Sequence, residues 1–356
     1  MSEAALRRRV VVGVDTHKYV HVAVGLDEFG GRIDAQRFTA DSIGYRNLID
    51  WAAGLGRLVT FGIEGTGSYG AGLASAVRRH GFGSIEVLRT DRRDRRLRGK
   101  DDFLDAENAA RAVLGGYATA VPKSADGNVE MIRTIKVAKD VAVKARTAAM
   151  ISLKTVIVNA PPQLRERLDG LSKMALIRRC AGMRPGSVTD VSSAAKHSLR
   201  AIARRWLDLD AEISAHTKVL TELTETTAPQ LVAAFGVGAD IAAEMLIVAG
   251  DNADRVHSEA AFAKLCGVAP IPASSGKTTR HRLNRGGHRH ANAALYRAVI
   301  VRMQHHQPTQ AYVARRITEG KTKAEIIRCL KRLLAREIWA HMRPLRETRK
   351  PLAAVA

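Results

Sequence analysis

Five consecutive residues, Val10-Val11-Val12-Gly13-Val14, offer no polar position to either face of an extended strand. Side chains alternate faces along a strand, so a run of this kind is buried on both. That calls for a sheet with helices packed on its faces. The following residues supply one. Val20, Val22 and Val24 alternate in a second strand, Arg32–Phe38 makes a third, and Gly30-Gly31 turns between them. A helix is expected over 42–54, with Ile43, Leu48, Ile49 and Trp51. A strand is expected over Leu58–Ile63, a helix over Ala71–His80, a strand over Ser84–Leu88, and a helix from about Asp101 to Leu114. Three hairpin-linked strands followed by strand–helix alternation predict a mixed sheet.

The remainder is helical, so the fold class is α/β plus α. Residues 128–226 are Ala-rich and broken at Pro161-Pro162 and Pro185-Gly186. Their second half carries a heptad seam: Leu199, Ile202, Trp206, Leu209, Ile213, His216, Leu220 and Leu223. His216 reads as a polar residue that sets register. Met131, Ile135, Ala138, Ala142, Ala145 and Ala149 form a weaker stripe, and an antiparallel helical hairpin is the economical arrangement. From Pro229 onward, apolar and basic helices are separated by glycine turns. At 356 residues the chain has room for about two or three domains. It contains no apolar run near the roughly 20 residues of a membrane helix. Cys180, Cys266 and Cys329 are odd in number and far apart, which suits a reducing, cytoplasmic setting better than a disulfide framework.

Charge restricts the partners. The formal net charge is +22, and residues 271–356 hold 19 Lys and Arg against 4 Asp and Glu. A second cluster comprises Arg89, Arg92, Arg93, Arg95, Arg96, Arg98 and Lys100. Such density repels itself unless a polyanion neutralises it, and Arg suits the phosphate fork. Nucleic acid is the expected partner; a solvated basic surface is the plainer alternative.

Within this basic chain, a few acids stand where acids are costly. Asp15 and Glu64 each end an apolar strand, where a carboxylate must be paired or bind a cation. If the strands are parallel neighbours, both acids lie at one edge of the sheet. Asp102 and Asp105 are three apart on one helix face, with Asp101 competing for the first position. Four acids make an oxygen-rich site that suits Mg²⁺ or Mn²⁺ better than zinc, and two such ions can serve phosphodiester chemistry. A strand-end turn for Asp15 and a helix N-terminal turn for Asp102 and Asp105 are the simpler readings of each acid alone. Thr66, Ser68 and Tyr69 follow Glu64 in a Gly-rich turn suited to substrate phosphates or to simple turn chemistry.

Two further motifs lie beyond residue 228. Phe235-Gly236-Val237-Gly238 fits a helix-hairpin-helix turn, in which glycines let backbone N–H groups approach a phosphate. In Pro272-Ala-Ser-Ser-Gly276-Lys277, two hydroxyls precede Lys277, Arg280, His281, Arg282 and Arg285. A serine beside cations can be a phosphoryl nucleophile, or simply a cap or phosphate contact. Composition favours the second.

Five stretches carry a resemblance: VGVDTHK around Asp15, GIEGTGSYG around Glu64, KDDFLDAENAAR around Asp102 and Asp105, FGVG at 235–238, and SSGKTTRHRLNRGG from Ser274 to Gly287. Over about 10–115 and 228–340 the chain resembles the transposases of the IS-one-ten family of bacterial insertion sequences, the DEDD transposases also described as bridge-RNA-guided recombinases. The resemblance implies a RuvC-like, RNase H-fold domain at 8–120 with Asp15, Glu64, Asp102 and Asp105 on Mg²⁺. It implies a helical coiled-coil linker at 128–226. It also implies a domain at 228–345 whose essential serine maps to Ser275, with Ser274 adjacent. Asp101-Asp102 departs from the more familiar Thr-Asp. In such enzymes the serine attacks DNA, strand exchange passes through a junction-like intermediate, and the domains can meet across subunits; the heptad seam suits a dimer or tetramer. An element-encoded RNA pairs with donor and target DNA.

The expected function is therefore an RNA-guided DNA recombinase. A hydrolytic junction resolvase or nuclease, and a non-catalytic nucleic-acid-binding protein, are the alternatives. Arg92, Arg93, Arg95, Arg96, Lys100, Gly236, Gly238, Lys277, Arg280, Arg282 and Arg285 are the expected nucleic-acid contacts. All three readings share phosphate contact, so affinity for DNA should fall roughly 10³-fold or more between about 50 and 200 mM salt. A near-flat salt titration contradicts the premise.

Overall fold

A computed structural model of the chain describes residues 8–88, 101–252, 255–277, 281–343 and 345. The backbone divides into two compact units: Met1–Gly127 with Val248–Gly286 and Arg343–Ala356, and Asn128–Ile247 with Gly287–Met342.

The first unit is built on the expected sheet. Strands β1 (Arg9–Thr16), β2 (Val20–Asp27), β3 (Arg32–Thr39), β4 (Arg57–Glu64) and β5 (Ser84–Val87) lie in the order β3-β2-β1-β4-β5. The first three run antiparallel to one another, whereas β4 pairs parallel with both β1 and β5. Helix α1 (Ser42–Gly54) starts where Asp41 accepts hydrogen bonds from the Ile43 and Gly44 amides. Helix α2 (Ala71–Arg79) follows β4. Both cover one face of the sheet, where Val10, Val12 and Val14 pack with Phe61, Ile63, Leu48 and Leu73. Each fully buried side chain of that size contributes about 1.5–3 kcal/mol.

The opposite face receives helix α3 (Asp102–Leu114), whose Ala106 and Ala110 pack with Val11, Val22, Val24 and Leu26. Two glycines admit it. Gly13 of β1 is the register partner of Gly62 of β4. A Cβ on Gly13 would lie 2.0 Å from the Ala106 carbonyl oxygen, and one on Gly62 would lie 2.9 Å from that of Ala109. The helix backbone therefore rests directly on the sheet. The same unit contains α10 (Glu259–Leu265) and a two-stranded hairpin, β6 (Ile271–Pro272) with β7 (His281–Arg282).

In the second unit, α4 (Asn128–Val158) and α7 (Val191–Thr227) form the hairpin, with α5 (Pro162–Glu166) and α6 (Lys173–Ala181) between them in sequence. They run antiparallel: Asn128 donates to Thr227, and Arg146 pairs with Asp210. Along α7, Leu199, Trp206, Ile213 and Leu220 are buried, while Ile202, Leu209, His216 and Leu223 are half-buried. The partner stripe on α4 is displaced from the sequence expectation. Met131 is exposed and Ile135 half-buried, while Val129, Ile132, Lys136, Lys139, Ala142 and Ala149 are buried. Two lysines enter the seam because acids answer them. Lys136 Nζ lies 2.5 Å from Asp140 and 3.2 Å from Glu244, and Lys139 Nζ lies 2.6 Å from Asp240. Glu244 and Asp240 belong to α9 (Gly238–Ala249), which follows the short α8 (Pro229–Val232). Helices α11 (Arg289–His305), α12 (Gln307–Thr318) and α13 (Lys323–His341) complete the unit. Among the described residues, no helix is long and apolar enough to cross a membrane.

The glycine contact makes a stability prediction. Gly13→Ala should lower unfolding stability by about 3 kcal/mol or more, because backbone rather than a yielding side chain opposes the new methyl group. Gly54→Ala, which meets nothing within 4 Å at the end of α1, should be neutral or gain about 0.5 kcal/mol. Thermal or urea unfolding of the two variants compares them directly.

Candidate functional site

Strand alternation decides where Asp15 points. Val11 and Gly13 face α3, so Asp15 and His17 continue the same face past the end of the buried run. Helix α3 begins at that end. Its N-cap is Asp101, whose side chain accepts the Phe103 amide at 3.1 Å. Asp101 is thereby engaged in capping, and Asp102 and Asp105 occupy the first turn. Because β1 and β4 are parallel and Val14 pairs with Ile63, Glu64 ends beside Asp15. Thr16 Oγ1 donates to the Glu64 carbonyl oxygen at 2.9 Å and ties the two strand ends together.

The result is a cleft of about 450 Å³ lined by Asp15, His17, Glu64, Ser68, Tyr69 and Asp105, with Glu86 and Leu88 at its margin. Asp15 is 7% exposed and Asp105 3% exposed. Burial pushes the Asp15 carboxyl above the usual carboxylate range; nearby His17 opposes this, and Asp105 and Asp102 add to it. His17 Nε2 lies 3.0 Å from Asp15 Oδ2 and 3.4 Å from Asp102 Oδ1. Asp15, His17 and Asp102 each offer a ligand atom, and these atoms lie within 4.8 Å of one another. A buried carboxylate pressed by two others, with donor atoms this close, suits a small divalent cation. Glu64 and Asp105 share the cleft without joining that close group.

His17 and Glu86 were not singled out from sequence. The signal for His17 was present: two residues after a strand-terminal acid, a side chain falls on the same face. Glu86 had no comparable mark. Tyr69 stands 55% exposed in the cleft, and Ser68 Oγ donates to the Gly65 carbonyl at 3.1 Å. Thr66 is buried in the same turn.

Ser275 and Lys277 are exposed between β6 and β7, in the compact unit that also contains the acids. Arg282 and Arg285 line a second cleft with Ile271, Leu283 and Gly286. Arg92, Arg93, Arg95, Arg96, Lys100 and Arg280 lie outside the described residues. In the second unit, the turn at 235–238 has Gly236 at φ +73° and Gly238 at φ +43°, a backbone that side chains resist. Arg302 fixes that turn. Its Nε donates to the Phe235 carbonyl at 2.8 Å, and its two terminal nitrogens each donate to Glu337 at 2.7 Å. Phe235 stacks on His306 with ring centroids 5.0 Å apart.

Residues 12–162 match a DEDD transposase family of the IS110 type, described as Transposase. Residues 228–314 match the family described as Transposase IS116/IS110/IS902 family. The two matches cover about two thirds of the chain. No curated protein matches the chain.

The environment of Asp15 predicts a conflict between stability and function. Its folded pKa stands above the unfolded one, so its ionised form weighs against folding at pH values above the folded pKa and has no such effect below the unfolded one. With a chelator present, Asp15→Asn should therefore raise the melting temperature at neutral pH. The difference should vanish once the pH falls below the ordinary carboxylate range. A melting temperature unchanged or lowered at neutral pH contradicts the assignment.

Proposed function

Because this chain belongs to the IS110 family and is a DNA transposase, we propose that it mobilises an insertion sequence through a metal-dependent acidic cleft and a serine nucleophile, guided by an element-encoded RNA. The observation that carries the reading is the convergence of Asp15 and Asp102, with Glu64 and Asp105 in the same cleft. The strand order β3-β2-β1-β4-β5, with acids at the ends of its two central parallel strands, supports an RNase H or RuvC-like domain. On this reading the chain works as a catalytic part at 8–120, a coiled-coil linker at 128–226 and a serine-bearing part at 228–345.

Asp15, Glu64, Asp102 and Asp105 would hold Mg²⁺ or Mn²⁺. Such an ion withdraws charge from the scissile phosphate and favours the deprotonated form of an attacking oxygen. Ser275 Oγ forms a bond to phosphorus as one bridging P–O bond of the DNA breaks. The serine proton passes to a carboxylate of the cleft, and the leaving deoxyribose oxygen is protonated. The phosphoserine ester keeps the phosphodiester bond energy, so a hydroxyl on another strand can reverse the step without a nucleotide cofactor. Lys277, Arg282 and Arg285 supply cations near the serine, and the 235–238 turn supplies backbone amides for a DNA phosphate. Base pairing with a guide RNA would assign the target, leaving the protein to grip phosphates as a dimer or tetramer.

Ser275 separates transposition from hydrolysis. Ser275→Ala should abolish a covalent protein–DNA adduct and strand transfer while leaving DNA affinity within about twofold of wild type; Ser274→Ala should retain the adduct. An adduct is read on denaturing gels with end-labelled DNA. Hydrolytic cleavage at the wild-type rate in Ser275→Ala would favour a nuclease instead.

A further inference from the structure

The four acids of the proposed site leave out one side chain that lies within 3.4 Å of two of them. His17 follows Asp15 by two residues, just past the end of β1, and its Nε2 is shielded from solvent. That nitrogen is 3.0 Å from Asp15 Oδ2 and 3.4 Å from Asp102 Oδ1. Spacings of this size also belong to neighbouring ligands of one ion. For an octahedral ion with bonds of about 2.1–2.2 Å, adjacent ligand atoms stand about 3.0 Å apart. All three residues place a donor atom within 4.8 Å of the others.

Resting on the reading of the cleft as a divalent-cation site, we infer that His17 is a nitrogen ligand of the ion held by Asp15 and Asp102, and that it inclines the site towards Mn²⁺ over Mg²⁺ and Ca²⁺. Carboxylates alone suit all three hard cations. An imidazole is a softer donor that favours the transition metal, whereas Mg²⁺ keeps to oxygen ligands and water. Asp15 is in the last two residues of β1 and His17 is the first residue after it, held by its amide donating to the Val20 carbonyl, so both donors come from neighbouring positions of the chain.

Metal-stripped, full-length protein titrated with Mn²⁺ and followed by electron paramagnetic resonance tests this without any activity assay. Pulsed spectra of the wild type should show the ¹⁴N coupling of a ligating imidazole. His17→Gln and His17→Asn should lose that coupling and bind Mn²⁺ at least about tenfold more weakly, with a smaller loss for Ca²⁺ measured by competition. Melting curves identify which variant folds. If Mn²⁺ binds in an Asp15-dependent manner but the wild type shows no nitrogen coupling, or the coupling survives in a folded His17 variant, the inference is overturned and the acidic site stands. If neither Asp15→Asn nor the His17 variants alter Mn²⁺ binding, the inference fails together with the metal-site reading.

Discussion

The close seat of α3 on Gly13 and Gly62 governs the first unit. A helix normally stands off a sheet by the depth of its side chains. Here two facing glycines, and alanines at 106, 109 and 110, let the helix backbone approach the strands directly. The approach fixes the helix along the strand direction, so its first turn stops where β1 and β4 stop. Three carboxylates that repel one another are brought together as a consequence of packing, and the hydrophobic contact elsewhere along α3 has to offset that repulsion. Such an arrangement is unfavourable for an isolated chain and favourable for one that meets divalent cations.

Electrostatics places this acidic cleft within a strongly basic protein. The surplus of +22 draws in polyanions from a distance, while the cleft itself repels phosphate unless cations intervene. On the proposed function, basic residues would bring DNA to the protein, and the carboxylates would meet the reacting phosphate only through an ion.

Much of this was legible because strand and helix periods leave plain marks. The apolar run at 10–14, the alternation at 20–24 and the apolar spacing over 42–54 each point to a single local structure, and the observed elements include them. The partner stripe of the hairpin was misplaced by one helical position at its start. A count of apolar residues overlooks lysine, whose aliphatic stem fills a seam while its ammonium reaches an acid. One of those acids, Asp140, is four residues from Lys136, but Asp240 and Glu244 lie far along the chain and gave no local sign. Asp101 and Asp102 both suit one face by spacing; the cap contact of Asp101 and the nearness of Asp102 to His17 distinguish them only in three dimensions. Ser275 was a different case. Nothing in its spacing distinguishes a nucleophile from a capping hydroxyl, and the nucleophile reading rests on resemblance alone.

On the proposed function, Arg302 has a consequence for how DNA would be met. One guanidinium grips both Glu337 and the carbonyl that opens the 235–238 turn, so the amides of that turn are held in place before any ligand arrives. A loop that must freeze on contact forfeits entropy with each encounter; this one does not. If the turn holds a DNA phosphate as proposed, its preorganisation would lengthen the residence of a bound strand more than it would hasten arrival, which suits an enzyme that must keep cut ends until they are exchanged.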